Sequence, residues 1–212
     1  MTMPSLIANH REKENVVKLK KFYSTISNAF LLAQNEHTEV KNWLVDGTAK
    51  QNAEIVFNNI KPYLSLAKDC GFEKGCLTDG YVKTLDGRDY NNYNNNTNEY
   101  HAVLADGSQF WIFMCSVYSE CSDGEVGNIK VDVNGLKGKY TFGDDVFIFN
   151  ITSNGIVPLG VQDSSYSFEK YCNRTKTSNA NGQGCTAWVI LNENMDYLHC
   201  DDLSWEGKTK CK

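Results

Sequence analysis

The stretch Leu19-Lys20-Lys21-Phe22-Tyr23-Ser24-Thr25-Ile26-Ser27-Asn28-Ala29-Phe30-Leu31-Leu32-Ala33 sets the fold. Leu19, Phe22, Tyr23, Ile26, Ala29, Phe30 and Ala33 recur at three- and four-residue spacing, while Lys18, Lys20, Lys21, Ser24, Asn28 and Gln34 take the opposite side. That is the period of an amphipathic helix with one face on a core. Upstream, Leu6, Ile7, Val16 and Val17 are apolar, but the interval 9–15 is polar. The pattern predicts one helix from Pro4 to about Glu36, roughly 50 Å long at its standard rise. Its lower half packs on a body, and its upper half is expected to stand in solvent as a stalk. Heptads do not persist, so a coiled coil is set aside.

A second helix is expected from about Ala49 to Lys68, with Ala53, Val56, Phe57, Ile60, Tyr63, Leu64 and Ala67 on one side. Pro62 should kink or restart it, and Cys70-Gly71 should end it. Beyond Gly80 the period changes to two. Tyr90–Asn98 is asparagine-rich and reads as an exposed loop. Glu99–Leu104 and Gln109–Cys115 flank Ala105-Asp106-Gly107-Ser108, a hairpin signal because Asp-Gly tolerates positive φ. Further strands are expected at Asn128–Val133, Asp145–Ile151 and Ile156–Leu159, with Trp111, Phe113, Val131, Phe147 and Phe149 covering the first helix. Short helices follow near Ser165–Tyr171 and Thr186–Leu191. The fold class is therefore α+β: a long N-terminal helix (1–36), a head of second helix plus antiparallel sheet (37–162), and a cysteine-rich tail of the same domain (163–212).

Composition supports a folded chain. Of 212 residues, 41% are hydrophobic and 22% charged, which excludes wholesale disorder. No apolar run reaches the ~18 residues of a membrane span. The net charge of −5 and pI near 5.4 argue against a protein that coats nucleic acid. Residues 1–41 carry six Lys/Arg against four Glu, a net +2, so the rest of the chain carries −7. A basic opening on an acidic body places the two parts in different surroundings.

The eight cysteines, Cys70, Cys76, Cys115, Cys121, Cys172, Cys185, Cys200 and Cys211, fall into neighbouring couples with 5, 5, 12 and 10 residues between partners. No C-x-x-C is present, which disfavours a zinc site. Four disulfides in an oxidising compartment are the better reading, paired in sequence order because each couple brackets a turn-rich segment. That implies export, yet no secretory signal is visible.

Catalytic constellations are missing. His10, His37, His101 and His199 are scattered, and H-E-x-x-H, nucleophile-elbow and phosphate-loop motifs do not occur. No enzyme is expected, and no cofactor beyond a structural Ca²⁺. That ion would sit on Asp132, Asn134, Asp144 and Asp145, hard oxygen donors near glycine turns, although the later ligands of an EF-hand loop are absent. The alternative is that these groups knit a strand-to-strand loop through side-chain-to-backbone hydrogen bonds. Lys18, Lys20 and Lys21 could touch phosphates, and Tyr90, Tyr93 and Trp205 could stack on sugars or bases.

Met1-Thr2-Met3-Pro4-Ser5-Leu6-Ile7, the polar break, and then Leu19 to Ala29 together resemble the middle of the first helix of a type IV pilin or type II secretion pseudopilin. Leu104–Ser108, Val131–Gly135, Gly143–Phe147, Cys185–Ile190 and Asn194–Leu198 are similar to segments of prepilin-like proteins with a cysteine-stapled head. The resemblance implies a filament subunit that acts by assembly, with other subunits as partners, at the bacterial cell surface or in the periplasm. It also implies an inner-membrane anchor upstream of Met1. Leader, cleavage site and apolar half-helix do not occur in this sequence, so the chain reads as a soluble piece or a frame opened at an internal Met, monomeric as it stands. Leu6, Ile7, Val16 and Val17 would contact neighbouring stalks, while Phe22, Tyr23, Ile26, Phe30 and Ala33 hold the head to its own helix. The alternative within the resemblance is a minor-pilin or adhesin module that binds glycan or DNA.

Overall fold

The computed structural model describes residues 3–116, 124–162 and 164–211, with side chains from Leu6 onward. Helix α1 runs Met3–His37 and stops where Thr38 turns to φ +65°. The Trp43 indole donates to the carbonyls of His37 (2.9 Å) and Thr38 (3.1 Å), which satisfies part of the open helix end. Helix α2 covers Ala49–Ile60 and is capped by Thr48, whose hydroxyl accepts from the Gln51 amide.

The second helix is shorter than its pattern predicts. Pro62 lies in a 3₁₀ turn over Lys61–Tyr63, and residues 66–71 become strand β1 (Leu66–Gly71). Pro62 has no amide hydrogen to continue the helical ladder, and the edge of the sheet offers the following residues better partners. Leu66 pairs opposite Leu104, and Gly71, at φ +58°, lies at a bulge in that strand instead of capping a helix.

The remaining strands are β2 (Val82–Lys83), β3 (Asp89–Asn91), β4 (Tyr100–Leu104), β5 (Gln109–Met114), β6 (Glu125–Asp132), β7 (Val146–Thr152) and β8 (Gly155–Pro158). Six form one antiparallel sheet in the order β1-β4-β5-β6-β7-β8, and β2 with β3 makes a separate ribbon. The expected hairpin is present: Gly107 sits at φ +90° and the Leu104 amide donates to Ser108 O at 2.9 Å.

Both faces of the sheet are covered. On the inner face Phe110, Ile112, Met114, Ile129, Val131, Phe147 and Phe149 meet Leu19, Phe22, Ile26, Ala29, Phe30 and Ala33 of α1, and Val56 and Phe57 of α2. Phe22 lies 5.9 Å from both Phe110 and Phe149, and Tyr23 stacks on Phe149 at 5.3 Å. On the outer face Trp111, Val146 and Ile148 meet Leu77, Val82, Tyr93, Tyr140, Phe142 and Leu159. The expectation that Trp111 and Phe113 cover the first helix is thus corrected. Residues 110–114 are apolar at every position, so alternation alone cannot choose which parity faces inward.

The tail adds α3 (Phe168–Tyr171) and α4 (Thr186–Asn192). Phe168 stacks on Trp188 with centroids 3.9 Å apart, and Trp205 closes over both. Trp205, expected to be an exposed stacking residue, is instead half-buried, its indole donating to Gly160 O at 3.2 Å. Disulfides join Cys70 to Cys76, Cys172 to Cys185, and Cys200 to Cys211. These are three of the four sequential couples; Cys121 of the fourth lies outside the described residues. No described helix is long and apolar enough to cross a membrane.

Candidate functional site

Two surfaces combine exposure with organised chemistry: the outward side of α1, and a groove on the outer face of the sheet. The inward side of α1 is apolar up to Val16, which is 8% exposed and joins the core. Val16 therefore does not face a neighbour, contrary to expectation, whereas Leu6, Ile7, Val17, Leu31 and Leu32 are exposed. At about 100° per residue, Leu6, Val17 and Leu31 fall within about 40° of one another on the helix, with Ile7 and Leu32 on a neighbouring line.

The polar interval 9–15 is not a free stalk. Asn15 is fully buried; its Nδ2 donates to Asp144 O at 2.8 Å, and its Oδ1 accepts from Asn134 Nδ2 at 2.8 Å. Arg11 reaches both Asp144 oxygens at 3.3 Å, and Lys18 Nζ donates to Asn134 Oδ1 at 2.7 Å. Lys21 pairs with Asp106 at 3.0 Å, Lys20 with Glu193, and Glu12 with His199 at 2.8 Å. Asn15, Arg11 and Glu12 are polar because the surface under them is polar, while Asn9, His10, Lys13, Glu14 and the three lysines stay exposed.

That loop contains the carboxylates considered for Ca²⁺. Asp132 Oδ1 accepts from the amides of Asn134 and Gly135, both at 2.9 Å. Asp145 accepts from the amides of Lys139, Tyr140 and Thr141. Asp144 holds Arg11 and the Lys139 ammonium (2.6 Å). Side-chain-to-backbone bonds thus engage the oxygens, and no group of three or more His, Cys, Asp and Glu is placed to hold a metal among the described residues. Burial, reinforced by the Asp145 charge, pushes the Asp132 carboxyl up to about 8.

The groove encloses about 340 Å³. Its floor is the outer face of the sheet, where Phe113, Asn128 and Asn150 lie in one cross-strand row and Lys130 pairs with Ile148 in the next. Tyr90 and Tyr93 line the groove from the segment before β4, and Tyr166 and Gln183 from the tail. Tyr93 and Asn94 are buried, so the segment read as an exposed loop is anchored: Asn94 Oδ1 accepts from the Gly75 amide at 2.9 Å. Lys130, 6% exposed, donates to Glu99 (3.3 Å) and Asn128 Oδ1 (2.6 Å) and lies 5.0 Å from the Tyr93 ring centroid. Burial lifts the Glu99 carboxyl above its ordinary value and holds the Lys130 ammonium below its own. Sequence reading missed this pair, although a lysine inside the apolar run Ile129–Val133 was a signal of it. The four histidines stay apart; His101 is buried and held down to about 4, chiefly by desolvation.

A long helix packed on an antiparallel meander, with short-range disulfides elsewhere in the chain, defines an α+β protein that exposes five large apolar side chains on the mostly polar outward side of that helix. The chain belongs to a family of unknown function (DUF6613), matched over residues 5–188. No curated protein and no solved structure matches it.

Proposed function

We propose that this chain is a structural subunit of a bacterial pilin-like or pseudopilus filament, working by assembly and not by catalysis. The observation that carries the reading is α1: 35 residues with a sheet on one side and Leu6, Ile7, Val17, Leu31 and Leu32 uncovered on the other. Apolar side chains spread along an otherwise well-packed helix suit burial against a like helix of a neighbour. The partners are then further subunits, and an apolar segment encoded ahead of Met1 would tether the subunit to the inner membrane before assembly. Disulfides on short loops suit the periplasm or cell exterior, where such crosslinks persist.

The test is incorporation into filaments sheared from the producing bacterium. Val17→Asp and Leu31→Asp should remove the protein from the filament fraction while leaving the melting temperature of the isolated chain unchanged, because both sites are exposed. Wild-type protein absent from the filament fraction, or variants that incorporate normally, would overturn the proposal. DNA upstream of Met1 gives a second check: a basic leader and about twenty apolar codons in frame are expected.

A further inference from the structure

We infer that the groove on the outer face of the sheet binds a neutral saccharide. The inference is independent of the filament reading and applies to the isolated chain. Its volume, about 340 Å³, falls at the lower end of the ~300–1,000 Å³ of small-ligand sites.

Anions are disfavoured. Lys130 is the only cation among the described lining residues, and its ammonium already serves Glu99 and Asn128. Glu99 and Glu125 add two carboxylates, and the body around them is acidic. A phosphate or nucleic-acid backbone finds no free positive partner there. A purely apolar ligand would strand the floor amides, which is costly when they are desolvated.

Those amides are set up for hydroxyls. Asn128 Oδ1 accepts from Lys130 Nζ, so its NH₂ remains as donor. Asn150, its cross-strand neighbour, gives its NH₂ to Glu125, so its Oδ1 remains as acceptor. Directly opposed residues on antiparallel strands have Cβ atoms ~5 Å apart. One fixed donor beside one fixed acceptor matches a pair of adjacent hydroxyls, each of which both gives and takes a proton. Gln183, 7% exposed and lining the same cavity, has no side-chain hydrogen bond to any described residue. It supplies a third polar contact whose protein partner is open.

The rim supplies ring faces. Tyr90 and Tyr166, 41% and 38% exposed, both line the groove. Tyr90 is braced edge-on by Phe142 at 5.5 Å and Tyr166 by Tyr171 at 5.0 Å. Braced tyrosines offer an apolar plane to sugar C–H groups and lose little freedom on binding. A ligand apolar on one face and hydroxylated along its edge satisfies both rim and floor.

The experiment is saturation-transfer NMR on the full chain with a panel of neutral hexoses and N-acetylhexosamines at millimolar concentration, single-stranded DNA and inorganic phosphate being the contrasting probes. At least one neutral sugar should receive saturation through its ring protons. Tyr166→Ala should weaken that sugar about tenfold, equivalent to ~1.4 kcal/mol, and Gln183→Ala should weaken it too, with the far-UV spectrum of each variant unchanged. Silence across the sugar panel, a signal undiminished in both variants, or displacement of the sugar by DNA would overturn the inference. None of these outcomes touches filament incorporation, so the two readings fail separately.

Discussion

Replacing Asn15 by Ala measures how firmly the upper part of α1 is held. Asn15 is fully buried and makes two hydrogen bonds of 2.8 Å, to Asp144 O and from Asn134 Nδ2. A net ~1 kcal/mol for each bond gives about 2 kcal/mol, and the stranded Asp144 carbonyl adds a further ~1–2 kcal/mol because water reaches it poorly. The expected loss is therefore about 3–4 kcal/mol. A solvent-exposed stalk would lose under ~0.5 kcal/mol at the same position. Urea unfolding at pH 7 separates the two, the shift in midpoint being read at constant m-value. A cycle with Asn134→Ala should return a coupling of at least ~0.5 kcal/mol, since the side chains touch. A loss below 0.5 kcal/mol for Asn15→Ala, or strict additivity with Asn134→Ala, would refute the clamp.

Phe30, 1% exposed and stacked on Trp43 at 6.0 Å, should cost about 3–5 kcal/mol when cut to Ala; a thermal melt showing under 1 kcal/mol would contradict that packing. Gly182, at φ +96°, has no room for a Cβ, which would lie 2.3 Å from Phe142 O, so Gly182→Ala should lose at least ~2 kcal/mol in chemical denaturation. Asp132, held near 8 in the fold against ~3.9 unfolded, keeps its proton more tightly when folded. Its contribution is complete below about pH 4 and is lost as pH rises towards 8, at up to ~1.4 kcal/mol per unit; Asp132→Asn should flatten that slope, and a parallel profile in the variant would count against it. Alkylation without reductant should label none of the cysteines, and with reductant all eight; mass spectrometry reads the difference.

Local signals were legible where one interaction decides the outcome. The spacing of Leu19 to Ala33 required a helix, Asp106-Gly107 required a tight turn, and the couples of cysteines lay close enough to join in order. The parity of β5 was not legible, since Phe110–Met114 is apolar on both sides and only the loops over Trp111 reveal that both are buried. Nor was the polar interval of α1, because sequence hydropathy cannot tell a residue facing water from one facing a buried carbonyl such as that of Asp144. The groove draws on residues from Tyr90 to Gln183 in separate segments, each ordinary alone; Asn128 and Lys130, alternate polar positions in a buried strand, were its one local trace.

The three described sulfur bridges span 6, 13 and 11 positions. A chain threaded through a translocation pore, amino end first, would deliver both members of each bridge almost together, before any distant competitor. Correct oxidation then follows from the order of emergence, and a shuffling catalyst has little to repair. The corollary is a modest return per bond, since such short loops remove only ~2–3 kcal/mol of unfolded-state freedom each. Reduction should loosen the segments that the bridges tie, the buried Cys172–Cys185 pair included, and leave the contacts of Phe22 with Phe110 and Phe149 in place.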